Sequence, residues 1–178
     1  AAGFFLYFNL KKMAGFTTFL DRPRLIPAAI LVISLGALAN AYVAQYVYGF
    51  EPCRLCLYQR VPYAVTALLA IIAFFLASGG GRVAMAALCA GAYLAGAGIA
   101  FYHVGVEQHW WLSECTGALA RDLSIEEMKA QLMSKPQKPC DDVEWTFLGL
   151  SMATYNAVFS LALAAASLAG ARLLARTS

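Results

Sequence analysis

Four long stretches without an acidic or basic residue other than histidine constrain the fold of this chain more than any other feature. They cover residues 28–50, 61–81, 83–106 and 145–170, and each is at least 20 residues long. A helix of that length crosses a bilayer core about 30 Å thick. The composition agrees, with 61% apolar and 13% charged residues and a mean hydropathy of +0.65. We therefore predict an all-α membrane protein, a bundle of four transmembrane helices.

The distribution of charge predicts the orientation of this bundle. Four crossings put both termini on one side, which would carry seven Lys or Arg residues and one acidic residue, against six and nine on the other side. Arg82, Arg172 and Arg176 lie close to span ends on the terminal side. Because basic residues near span ends favour the cytoplasm, we expect both termini there. We attribute the net charge of +3 to basic residues that orient the helices in the lipid bilayer, and we expect no nucleic-acid partner.

The same pattern divides the chain into three parts. Residues 1–24 form a cytoplasmic N-terminal segment, residues 25–171 form the transmembrane domain, and residues 172–178 form a cytoplasmic tail. Outer loops are expected at about 49–56 and 107–146.

Residues 1–12 are too short to span a membrane and lack a small-residue cleavage site typical of a signal peptide. We interpret them as extraneous sequence ahead of a natural start at Met13, or alternatively as a short interfacial segment. The sequence SGGGR at 78–82 predicts a tight inner turn in which glycines supply positive φ.

The second outer loop is long for a chain with so few residues outside its predicted membrane spans, and long loops are usually functional or disordered. Its middle, residues 123–133, has apolar side chains on one helical face, at Ile125, Met128 and Leu132. This pattern predicts a short amphipathic helix on the outer membrane surface. An ordinary solvated helix packed on the bundle is the alternative.

Four of the five cysteines fall on the outer side, where disulfides persist. Cys53 and Cys56 belong to the first loop, and Cys115 and Cys140 to the second. They can form a redox relay, or Cys115 and Cys140 can be a static staple that contributes roughly 3 kcal/mol in the chain-entropy model. A zinc site of all four would lack the usual close spacing in its second pair, and we predict no metal. Cys89 is interpreted as a small core residue of the third span.

The Cys-x-x-Cys pair is expected at the start of the second membrane helix, after Pro52. Positive charge from the helix end and from Arg54 would favour a thiolate there. Arg60 lies four residues after Cys56 and so shares its helix face. An arginine and a thiolate at this depth could receive a lipophilic electron acceptor whose reduced form is anionic. The alternative for Arg60 is snorkelling to the lipid headgroups.

With these residues in view, the chain resembles the DsbB family of disulfide-bond oxidoreductases from bacterial inner membranes. The resemblance rests on CRLCLYQR at 53–60, His103 near the outer end of the third span, Cys115, and CDDVEWTFLGLSM at 140–152. It implies a multi-pass inner-membrane enzyme, a quinone-dependent protein thiol:disulfide oxidoreductase.

The resemblance also implies a route for electrons. A periplasmic DsbA-like dithiol protein of the thioredoxin fold would attack Cys115 and reduce the Cys115–Cys140 pair. Cys140 would exchange with Cys53, and Cys56 would pass electrons to a quinone, either ubiquinone or menaquinone.

Arg60 and His103 match the family positions that contact the quinone, although His103 could instead only hydrogen-bond within the bundle. Whether the chain belongs to the DsbB or the DsbI-type branch stays open. A vitamin K epoxide reductase-like enzyme is a rival, but there the loop cysteines precede the Cys-x-x-Cys pair. A structural or transport bundle with inert cysteines is the rival from another class.

Overall fold

The long helices follow the uncharged stretches of the sequence. The computed structural model describes residues 24–113, 115, 124–126, 129, 138–143 and 145–177. Its elements are α1 (Leu25–Tyr46), α2 (Arg54–Tyr58), α3 (Arg60–Phe75), α4 (Gly79–Glu107), β1 (Thr146–Phe147), β2 (Leu150–Ser151) and α5 (Met152–Thr177).

Among the described residues, four helical segments are long and apolar enough to cross a membrane: α1, the α2–α3 segment taken together, α4 and α5. Helices α2 and α3 meet at Gln59, whose backbone N–H donates to the carbonyl of Leu55, so the helical path continues from one into the other. The all-α four-helix membrane fold predicted from the sequence is confirmed.

Small residues let the helices approach closely. Helix α4 packs mainly against α5 and α3, and α1 packs against α3. A Cβ atom added at Gly96 would lie 3.1 Å from Cβ of Pro62, and one at Gly170 would lie 2.9 Å from Ile26. Such contacts replace the hydrophobic driving force, which is weak between helices that already lie in lipid.

A buried polar cluster links three of the helices. The hydroxyl of Ser34 in α1 lies 2.9 Å from Thr66 Oγ1 in α3 and 2.6 Å from the hydroxyl of Tyr93 in α4. Large apolar side chains face outward instead, among them Val32, Leu68, Leu88 and Leu161. This inverted distribution suits a bundle whose surroundings are lipid, because polar groups there need partners inside the protein.

Two connections differ from their predictions. The glycines of SGGGR do not make a turn with positive φ: Gly79–Gly81 form the first turn of α4, and the bend between helices lies at 76–78. A β-hairpin replaces the predicted beginning of the fourth span, pairing Thr146 with Ser151. Its turn residues, Leu148 and Gly149, both have positive φ, as hairpin turns of type I′ require.

Helix α5 therefore begins at Met152 and extends to Thr177. The interpretation of residues 1–12 lies outside the described residues. Most of the predicted amphipathic helix does too, including Met128 and Leu132, although Ile125, Glu126 and Lys129 are helical.

After α4 the chain folds back onto the helix that it has just left. His109 has positive φ, and the indole of Trp111 lies against Gly105 while its N–H donates to the carbonyl of Tyr102. A Cβ atom at position 105 would clash with Cζ2 of Trp111. Only glycine leaves room for the indole there.

We predict that Gly105→Ala displaces Trp111 and lowers the stability of the folded protein by about 1–3 kcal/mol, the usual cost of overpacking. Thermal unfolding in detergent measures the change. Gly98→Ala is the matched control, because open space surrounds a Cβ atom at that position of the same helix. Equal melting temperatures for the two variants would contradict the contact.

Candidate redox site

Cys53 forms the N-cap of α2. Its backbone is extended, and its sulfur accepts the backbone N–H of Cys56 at 3.2 Å. The two sulfurs lie 2.8 Å apart as thiols. The predicted position of the pair at a helix start is therefore what the structure shows.

The two thiols differ in environment. Cys53 is 3% exposed and Cys56 is half-buried. A hydrogen bond with Cys56 holds the pKa of Cys53 well below its ordinary value, and a hydrogen bond with His103 acts in the same direction against the opposing effect of burial. The lowered pKa favours the thiolate form of Cys53.

His103 connects the two cysteine pairs. The residue is 4% exposed, and its Nε2 lies 3.6 Å from the sulfur of Cys53 and 3.2 Å from the carbonyl oxygen of Cys140. Its Nδ1 lies 2.7 Å from Nε2 of Gln59. His103 thus hydrogen-bonds within the bundle and also contacts a cysteine of the site, and its contact with a quinone stays a prediction.

Cys115 and Cys140 form a disulfide whose Cα atoms are 5.4 Å apart. The backbone N–H of Cys140 donates to the carbonyl of Cys115 at 2.8 Å, which fixes the two loop segments to each other. A zinc site of four thiolates is incompatible with this state, because two of the four sulfurs are bonded together.

Within the described part of the chain, one group of side chains has the composition of a metal site. The ligand atoms of Cys53, Cys56 and His103 lie within 4.8 Å of one another. Sulfur and imidazole donors of this kind suit zinc. In the structure the same atoms are engaged in hydrogen bonds with each other.

All four outer cysteines pack into one cluster. Cys53 and Cys140 are buried with Leu55 and Val106, and the partly buried residues against them are Cys56, Cys115 and Trp111. We call these seven residues the redox cluster. Cys89 lies elsewhere, buried beside Tyr93 in the bundle interior, as the sequence predicted.

A cavity of about 330 Å³ opens beside the redox cluster. Cys56, Arg60 and His103 all contribute to its wall, together with apolar residues of α1 and α5 that include Ala37, Leu38, Ala41 and Phe159. The structure thus brings together, around one cavity, the side chains that the sequence singled out separately.

Arg60 is held against α1. One guanidinium nitrogen donates to Oε1 of Gln45 at 2.7 Å, and the guanidinium carbon lies 4.9 Å from the centre of the Tyr42 ring. These contacts hold the guanidinium at the cavity. The bond to Gln45 uses one of the five N–H groups that a guanidinium offers.

Sequence reasoning missed several polar residues around the site, namely Gln45, Gln59, Glu107 and Asn156. Asn156 donates to Oε1 of Gln59, and Glu107 accepts from the hydroxyl of Ser151. Three of the four lie inside or beside the uncharged stretches. A polar side chain at membrane depth indicates a functional site by default, and this criterion could have identified these residues from the sequence.

The fold and this site together define a class: a multi-pass membrane protein with a cysteine-based redox site at one end of its helices. The family profile described as Disulfide bond formation protein DsbB matches residues 23–170. The Disulfide bond formation protein B of Albidiferax ferrireducens is 36% identical over 151 residues, covering 80% of this chain and 84% of the relative.

The protein of the same name from Xylella fastidiosa is 33% identical over 136 residues, covering 72% of this chain and 78% of the relative. An uncharacterized protein of Rickettsia prowazekii, RP370, is 26% identical over 147 residues, covering 80% and 84%. No solved structure gives a significant match. The chain belongs to the DsbB family. It is therefore a disulfide-forming membrane protein, a thiol:disulfide oxidoreductase.

Because the pKa of Cys53 lies below the ordinary pKa of a cysteine thiol, we predict that its thiolate persists when the pH falls below that ordinary pKa. The ultraviolet absorbance of thiolate, followed during an acid titration, measures this. The protein should carry Cys89→Ala and keep the Cys115–Cys140 disulfide intact, so that the signal comes from the first pair.

Cys56→Ala should move the titration of Cys53 to higher pH, because it removes the largest stabilising hydrogen bond. Cys53→Ala should abolish the low-pH thiolate signal. A signal that survives in Cys53→Ala would contradict the assignment of the negative charge.

Proposed function

We propose that the protein reoxidises a periplasmic DsbA-like dithiol protein of the thioredoxin fold and passes the electrons to a membrane quinone. The electrons would travel through Cys115–Cys140 and then through Cys53–Cys56. The observation that carries the proposal is the redox cluster, because it packs the two cysteine pairs against each other beside a cavity that contains an arginine.

In the first exchange, a thiolate of the partner attacks the sulfur of Cys115 and displaces the Cys140 thiolate. The second thiol of the partner then attacks the mixed disulfide and releases Cys115 as a thiol. The partner leaves with a disulfide, and the Cys115–Cys140 pair has gained two electrons. Cys115 suits this role because it is the more accessible member of its pair, while Cys140 is 1% exposed.

In the second exchange, the Cys140 thiolate attacks Cys53 in a Cys53–Cys56 disulfide, and Cys56 leaves as a thiolate. Cys115 then closes the second disulfide again and releases Cys53. The contact of His103 with both the Cys53 sulfur and the Cys140 carbonyl supports this step, since the two residues are already neighbours. The product is the arrangement described here, with one disulfide and two thiols.

The cavity suits a quinone headgroup in size and chemistry. Its volume of about 330 Å³ falls in the range of small-molecule sites, apolar side chains form much of its wall, and Arg60 offers donors to a ring oxygen. When bound, a quinone such as ubiquinone or menaquinone would accept two electrons and two protons. Cys56 would be the proximal thiol, Arg60 would stabilise negative charge on the oxygen, and His103 would also contact the quinone from the cavity wall.

We propose the bacterial inner membrane as the location, with both termini in the cytoplasm and the two cysteine pairs facing the periplasm. The basic residues Arg82, Arg172 and Arg176 support this orientation because they lie at the other end of the bundle. The proposed division into residues 1–24, 25–171 and 172–178 rests on the same charge pattern.

Anaerobic mixing of the purified protein with a reduced DsbA-like protein and a soluble quinone tests the function. We expect the partner to become oxidised while the quinone is reduced in equal amount. Cys56→Ser should abolish quinone reduction, while Cys115 should still trap the partner as a mixed disulfide. No quinone reduction by the unmodified protein would overturn the proposal.

In the same assay, Arg60→Met should raise the quinone KM roughly tenfold or more, because it removes a charged hydrogen-bond donor worth about 1.5–3 kcal/mol and keeps much of the aliphatic bulk. Arg54→Met is the matched control, since Arg54 is exposed and is not part of the cavity wall. Equal quinone kinetics in both variants would assign Arg60 to lipid headgroups instead.

A further inference from the structure

A chain of side-chain amides runs through the bundle to His103. Asn156 in α5 donates through Nδ2 to Oε1 of Gln59, and Nε2 of Gln59 lies 2.7 Å from Nδ1 of His103. Gln59 is buried where α2 meets α3. The chain therefore crosses three helices and ends at the imidazole that contacts Cys53.

Two hydroxyl groups contact the far end of this chain. The hydroxyl of Tyr63 donates to Oδ1 of Asn156 at 2.6 Å, and the hydroxyl of Ser160 donates to the same oxygen at 3.3 Å. The amide nitrogen of Asn156 faces Gln59. Because Oε1 of Gln59 accepts this bond, the NH₂ group of Gln59 faces the histidine.

An NH₂ group is only a donor, so Nδ1 of His103 must accept from it. A neutral imidazole that accepts at Nδ1 carries its proton on Nε2. That N–H then points toward the carbonyl oxygen of Cys140, at 3.2 Å, and the sulfur of Cys53, at 3.6 Å. The amide chain thus places the proton on Nε2, so that the ring nitrogen that faces the cysteines acts as a donor.

Charged groups near the ring act against this arrangement. Oε1 of Glu107, one turn further along α4, lies 3.8 Å from Nε2 and favours a doubly protonated ring, as does a Cys53 thiolate. The same cavity is lined by Glu51 from the first loop, Arg60 and Tyr63 from α3, and Lys138 and Asp142 from the second loop. Helix α1 contains no charged residue, and the basic residues of α5 lie at its far end. The NH₂ group of Gln59 opposes a proton on Nδ1, because two donors would face each other.

We propose that Gln59 and Asn156 are positioning residues that hold His103 in the neutral Nε2–H form, with its N–H directed at Cys53 and Cys140. This role deepens the proposed function and rests on it, because a fixed donor would stabilise the Cys53 thiolate while disulfides exchange between the two pairs. The form of the ring itself does not depend on any partner or quinone.

Nitrogen NMR of the histidine side chain tests the proposal directly. The chain has two histidines, and His109 is exposed, with 68% of its side chain accessible. A His109→Gln background therefore leaves His103 as the sole signal. We expect the Nε2–H tautomer throughout the neutral pH range. An imidazolium or an Nδ1–H tautomer at neutral pH would overturn the proposal without bearing on the proposed function.

Gln59→Glu is the informative variant, because its carboxylate would accept a hydrogen bond from Nδ1–H while occupying nearly the same space. We expect an imidazolium at lower pH and the Nδ1–H tautomer at higher pH, so that the Nε2 donor is lost as the pH rises. Gln45→Glu is the matched control: it puts a carboxylate in the wall of the same cavity but on the partner of Arg60. An unchanged ring in Gln59→Glu, or the same change in Gln45→Glu, would contradict the role of Gln59.

A kinetic measurement separates positioning from mere support of the fold. Gln59→Leu should slow electron transfer from Cys115–Cys140 to Cys53–Cys56 about tenfold, in line with the loss of the hydrogen bond from Nε2–H to the Cys53 thiolate. Gln59→Glu should restore the transfer rate at low pH only, where Nε2 keeps its proton. A loss of transfer rate in Gln59→Leu that Gln59→Glu does not rescue at low pH would indicate a structural role instead.

Discussion

The sulfur of Cys53 lies where two helices and the second outer loop meet, and its contacts organise the rest of the site. It accepts the backbone N–H of Cys56 at the start of α2 and lies 3.6 Å from His103 on α4. His103 in turn contacts the carbonyl of Cys140. The buried thiolate of Cys53 needs these hydrogen-bond donors. They hold the start of α2, His103 and the loop disulfide next to one another, and this accounts for the packing of the redox cluster.

The membrane explains why such a site needs an extensive polar network behind it. In lipid, a polar side chain without a partner inside the protein is costly, and among the described residues no buried side-chain nitrogen or oxygen lacks a hydrogen bond. The contacts of Ser34, Thr66 and Tyr93 hold the helices together in the bundle interior. The amides nearer the redox cluster have a second consequence, because they orient the imidazole. One set of polar residues can therefore both meet the hydrogen-bonding requirement of the membrane interior and orient a side chain of the redox site.

Much of this arrangement could be predicted from residues whose effect is local. The uncharged stretches predicted the four spans, and Pro52 with the Cys-x-x-Cys pair predicted the helix start. The sequence does not separate the hairpin before Met152 from the helix, because hydropathy does not distinguish an apolar strand pair from a helical turn. Three consecutive glycines at 79–81 are typical of a turn, although helix packing and lipid tolerate glycine within a span. The bond between Gln59 and Asn156 joins residues far apart in sequence, and only the packed bundle shows it.

The two cysteine pairs can form one relay because Cys53 and Cys140 are neighbours in the redox cluster. A variant with Cys56→Ser and Cys115→Ser leaves these two as the outer thiols, and mass spectrometry of unreduced peptides after mild oxidation reports their pairing. The account predicts an intramolecular disulfide between Cys53 and Cys140 in the folded protein. If both thiols stay reduced, or pair only between molecules, the two cysteine pairs do not exchange directly and the relay is contradicted.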